Sequence, residues 1–127
     1  MNRLKLIYLI PLVLLGFASA AFAHEVGLRA NVRVQSASGE TVTYTAENLP
    51  SGAQVTAIEI VAYYSTGEPM ADCQVQIFAP DDRTAPWETG RCNAQGNYRF
   101  TPDLSKRGRW TVRVKSPGHS NFIDILI

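Results

Sequence analysis

The chain is 127 residues long, with twelve basic and eleven acidic side chains and two cysteines. That length holds one hydrophobic core and excludes a second domain of ordinary size. The balanced charge, without a run of lysine or arginine, gives no electrostatic reason to expect nucleic acid or an anionic membrane surface as a partner.

The N-terminal segment has the three parts of a secretory leader. Arg3 and Lys5 supply positive charge, Leu6 to Phe17 form an apolar stretch, and Ala21-Phe22-Ala23 has the small-x-small pattern of a cleavage site. A membrane span needs about 20 apolar residues, and this stretch is shorter, is interrupted by Pro11 and ends in small residues. Cleavage after Ala23 removes residues 1–23 and leaves a domain of residues 24–127 that starts at His24; Ala18-Ser19-Ala20 offers a second site, which leaves Ala21 first. Arg3 and Lys5 depart with the leader, so the remainder carries ten basic and eleven acidic side chains. The expected location is the periplasm or the secreted space, with no membrane span in the mature chain.

From Val26 the apolar residues Val26, Leu28, Ala30, Val32 and Val34 alternate with Gly27, Arg29, Asn31, Arg33 and Gln35, which puts the first set on one face of a strand. Ser38-Gly39-Glu40 marks a turn, and Thr41 to Ala46, β-branched and aromatic, forms a second strand. Val55 to Tyr64 is the most apolar segment and is expected at the centre of its sheet. Tyr63 and Tyr64, adjacent on it, must face opposite sides. The fourth strand aligns Cys73, Val75, Ile77 and Ala79, and Trp87 to Cys92 forms a short fifth. Asn93-Ala94-Gln95-Gly96 has the chemistry of a tight turn, with Gly96 free to take positive φ. Tyr98 and Phe100 alternate with Asn97, Arg99 and Thr101, and Trp110, Val112 and Val114 alternate with Arg109, Thr111, Arg113 and Lys115. Ser116-Pro117-Gly118-His119-Ser120 reads as a turn into a last apolar run, Phe122 to Ile127. Seven or eight short strands without a helical period predict an all-β Greek-key sandwich, with Trp87, Tyr98, Phe100, Trp110 and Phe122 in its core.

An exported chain meets oxidising conditions, so a Cys73–Cys92 disulfide is expected; two separate buried thiols are the alternative. Catalysis is not expected. A nucleophile needs a base and an orienting group, yet the chain has two histidines, no GxSxG turn, and a carboxylate pair, Asp81-Asp82, that sits in a proline-punctuated loop. Metal binding fits better. An N-terminal His24 would offer its α-amino nitrogen and its ring nitrogen as a chelate for Ni(II), Co(II) or, less favoured, Cu(II). His119 would add a third nitrogen if the chain ends meet, and Glu25 or Asp124 an oxygen. On composition alone, His119 within Pro-Gly-His-Ser reads most simply as an exposed polar loop residue.

The segments Tyr64-Ser65-Thr66-Gly67-Glu68-Pro69-Met70-Ala71, Val75-Gln76-Ile77-Phe78-Ala79-Pro80, Thr89 to Asp103 and Gly108-Arg109-Trp110 resemble the carboxypeptidase-regulatory-like, or prealbumin-like, β-sandwich over about 45 residues. With a histidine just after the leader and Gly118-His119 near the end, the chain is similar to exported domains found with bacterial nickel and cobalt uptake transporters. That resemblance implies a non-catalytic accessory to a membrane metal-uptake transporter, with His24 and His119 as the matching metal-relevant positions. It departs in two respects: a C-terminal membrane helix common in relatives does not follow Ile127, and Cys73 and Cys92 replace small or hydroxyl residues. A sandwich of this type also suits an envelope protein- or glycan-interaction module with no metal role. An N-terminal-histidine copper enzyme would need further ligands that the chain does not display.

Overall fold

The computed structural model describes residues 25–127. The leader, its cleavage site and His24 lie outside the described residues. Eight strands form two antiparallel four-stranded sheets packed as a β-sandwich. The first sheet has the order β2-β1-β3-β6, with β1 at Val26–Gln35, β2 at Thr41–Thr45, β3 at Val55–Tyr64 and β6 at Asn97–Phe100. The second has the order β5-β4-β7-β8, with β4 at Gln74–Phe78, β5 at Glu88–Arg91, β7 at Arg109–Ser116 and β8 at His119–Leu126.

The inward faces follow from the period-2 patterns. Val32 and Ile58 are opposite one another, as are Ala30 and Ile60, so the alternate apolar residues of β1 and β3 stack on one side. Val112 faces Ile77 and Val114 faces Val75 in the other sheet. All eight side chains are buried, and with Cys73, Met70, Ile125 and Trp110 they fill the space between the layers. β3 is paired on both edges, by β1 and β6, as its apolar composition predicts. Tyr64 turns inward against the core, while Tyr63 lies on the outer face beside Arg29, whose guanidinium stands 6.0 Å from the ring centroid.

Trp110 anchors the core. Its ring is fully buried, meets Trp87 edge-on at 4.9 Å, and donates its indole N–H to the Lys106 carbonyl at 2.9 Å. A buried indole left without an acceptor would cost about 1–3 kcal/mol, so this bond fixes the loop before β7 as well as the ring. Cys73 and Cys92 form the expected disulfide, with Cα atoms 4.9 Å apart, and both are buried. It ties the start of β4 to the end of β5. Among the described residues no helix is long and apolar enough to cross a membrane.

Two expectations fail at the C-terminal strand. Phe122 is not in the core: it is 56 % exposed, because Trp110 pairs with Ile125 and Val112 with Ile123, which leaves Phe122, Asp124 and Leu126 on the outer face. His119 is not a loop residue. Pro117-Gly118 closes the turn in two residues, Gly118 at φ +76°, so the strand begins at His119, directly opposite Ser116. Of the other expected core aromatics, Phe100 is buried, Tyr98 is half-buried, and Trp87 is 37 % exposed while leaning on Trp110.

Candidate metal-binding cleft

The β7–β8 turn and the start of β1 border one cleft of about 420 Å³, lined by Glu25, Val26, Gly118, His119, Ser120 and Asn121. Residues 94 positions apart in the chain, Glu25 and His119, thus share a site. Three bonds hold its frame. Asn121 Nδ2 donates to the Val26 carbonyl at 2.7 Å, so the side chain of β8 clamps β1 across the sandwich edge. The Ser65 N–H donates to the Glu25 carbonyl at 2.9 Å, fixing the same segment to the end of β3. The Tyr64 hydroxyl is hydrogen-bonded to Ser116 Oγ at 3.1 Å.

His119 is half-buried in this frame. Its ring meets that of Tyr64 edge-on, with centroids 5.3 Å apart. Tyr64, Ser116 and Asn121 were not legible as site residues in sequence. A polar residue at an inward strand position, as Asn121 is, was the one available signal.

Asp124 is not part of the cleft. It points outward from β8 and accepts a hydrogen bond from Thr111 Oγ1 at 2.6 Å, and Arg83 Nη2 donates to the same hydroxyl at 2.7 Å. Cys73 and Cys92 are committed to their disulfide. Asp81 and Asp82 do not act as a pair: Asp81 meets Lys106, while Asp82 Oδ1 accepts from the Thr84 N–H, the Thr84 hydroxyl and the Ala85 N–H. Those bonds, the Thr84 N–H first, hold the Asp82 carboxyl below its usual range. Among the described residues no three His, Cys, Asp or Glu side chains gather as a metal site. The described part of the cleft supplies one imidazole and one carboxylate.

Comparison with family models, with curated proteins and with solved structures finds no match to this chain.

Proposed function

We propose that the chain is a periplasmic, non-catalytic accessory for nickel or cobalt uptake, of the carboxypeptidase-regulatory-like type, that holds a divalent ion through His24 with His119 assisting. The observation that carries this reading is the cleft shared by Glu25 and His119. Residue 24 is bonded to Glu25, one Cα step of about 3.8 Å away. If the mature chain begins there, His24 would offer an amine and an imidazole next to a cleft that holds an imidazole and a carboxylate. Nitrogen-rich sets of this kind suit Ni(II), Co(II) and Cu(II), and the carboxylate makes Glu25 the oxygen donor in place of Asp124. The disulfide fits an oxidising compartment, where the partner would be a membrane metal-uptake transporter.

Calorimetric titration of Ni(II), Co(II) and Cu(II) into the exported protein tests this, with the N-terminus read by mass spectrometry. Binding should be lost in His24→Ala and weakened in His119→Ala. Ligation needs neutral imidazole, whose ordinary pKa is about 6.5, so affinity should fall in acid. A mature chain that starts at Ala21, or equal binding by wild type and His24→Ala, overturns the reading. Absence of affinity for all three ions leaves the rival, an envelope protein- or glycan-interaction module, as the better description.

A further inference from the structure

The outer face of the second sheet gathers charge that the chain as a whole conceals. Arg109, Arg113 and Lys115 project from the outward-facing side of β7, Arg113 and Lys115 about 7 Å apart and Arg109 about 14 Å from Arg113, with Thr111 between. Arg91 of β5 and Arg83 of the preceding loop join them, so five cations stand on or beside this face. Two carboxylates accompany them. Asp72 pairs with Arg91, and Asp124 is engaged by Thr111, which Arg83 also contacts. Among the described residues Arg109, Arg113 and Lys115 make no ion pair.

Two large apolar side chains rise from the same face. Phe122 is 56 % exposed and Leu126 is 72 % exposed, four residues apart on β8. Each stands directly opposite an arginine of β7: Phe122 faces Arg113, and Leu126 faces Arg109. The Arg113 guanidinium also lies over Phe78 of β4, 5.9 Å from the ring centroid. The first sheet's outer face has cations too, in Arg29, Arg33 and Arg99, but none of the four exposed large apolar residues of the described chain projects from it.

We propose that this face docks the protein on an anionic lipid surface, with Phe122 and Leu126 entering the interface and Arg109, Arg113 and Lys115 meeting lipid phosphates. An apolar side chain beside two of the three cations, with Lys115 opposite Ser120, is an arrangement that a headgroup layer over hydrocarbon rewards, because both terms act at once. A soluble polyanion would engage the cations and leave Phe122 and Leu126 idle. The inference is independent of the metal cleft, and it reverses the expectation drawn from net charge, which averages over faces.

Vesicle flotation of the exported protein tests it, with wild type and variants sharing one N-terminus as read by mass spectrometry. The wild type should float with phosphatidylglycerol vesicles at low salt, and should not float with phosphatidylcholine vesicles. R109A/R113A/K115A should lower partitioning about a hundredfold, at about fivefold per cation. F122S/L126S should lower it about a hundredfold, with far-UV circular dichroism unchanged in both. Failure of the wild type to float, or equal flotation on both lipids, overturns the proposal. So does flotation that F122S/L126S leaves intact, the result expected if the face binds polyanions alone, for which dextran sulfate is the control.

Discussion

Tyr64 and His119, at the ends of strands in different sheets, meet ring to ring at 5.3 Å with their planes at 68°. The Tyr64 hydroxyl reaches on to Ser116, the residue opposite His119, so one side chain braces both members of the pair that opens β8. Tyr64 is therefore a positioning residue for the cleft. Replacing it by phenylalanine keeps the ring and loses one hydrogen bond, a cost of about 1 kcal/mol. Alanine removes the ring as well and should cost about 3 kcal/mol. The imidazole proton resonances of His119 should move in Tyr64→Ala and stay near their wild-type positions in Tyr64→Phe. Unmoved resonances in Tyr64→Ala would show that the rings do not meet in solution.

The disulfide closes a segment of 19 residues and joins two buried positions. In the chain-entropy account such a loop stabilises by about 3 kcal/mol, by restricting the unfolded chain. Cys73→Ala/Cys92→Ala should unfold at lower urea, and the slope of its free energy against urea should rise because the freed chain exposes more surface. A thiol assay on denatured wild type should find none. A midpoint unchanged from wild type would mean that the bridge contributes nothing to stability.

How far the sequence anticipates these contacts depends on the range of the interaction. β1 and β7 were legible because Ala30, Val32 and Val34, and likewise Trp110, Val112 and Val114, repeat every second residue, and the pleat converts that repeat directly into a buried face. β8 was not, since Phe122, Ile123, Ile125, Leu126 and Ile127 are all apolar and only pairing with β7 decides which side faces the core. The turn before it misled for a local reason: Pro117-Gly118 is enough to reverse the chain, so the strand starts sooner than the run of turn formers suggests. The cleft depends on β1, β3 and β8 together, and no pattern within one segment reports such a meeting.

Tyr98 of β6 and Glu88 of β5 are joined between the two sheets. The Tyr98 hydroxyl donates to Glu88 Oε2 at 2.7 Å, and burial, followed by the carboxylate, pushes its pKa up to about 12. A raised pKa in the fold means that the protonated phenol is favoured there. Its stabilisation is complete below pH 10, the ordinary tyrosine value, and is lost as pH rises toward about 12. The wild type should lose stability across that window, and Tyr98→Phe should lose less of it while starting about 1–2 kcal/mol lower at neutral pH. Denaturant melts at stepped alkaline pH measure both. Parallel decline in the two proteins would assign the alkaline loss to other groups.

Gly96 closes the turn into β6 at φ +77°, and a Cβ there would overlap the backbone carbonyl of Ala62 and crowd the Met70 nitrogen. Neither neighbour can yield, because Ala62 accepts from Met70 N–H at 3.0 Å and donates its own N–H to the Gly96 carbonyl at 2.8 Å. Gly39 offers the comparison, since its φ is +85° and nothing lies within 4 Å of where its Cβ would be. Gly39→Ala therefore incurs conformational strain alone, about 1 kcal/mol. Gly96→Ala incurs the strain and must also displace β3 from the turn, so its loss should exceed that of Gly39→Ala by about 2 kcal/mol or more. Chemical denaturation of the two variants side by side gives the difference directly. Equal losses would mean that the approach of this turn to β3 is looser than the hydrogen bonds indicate.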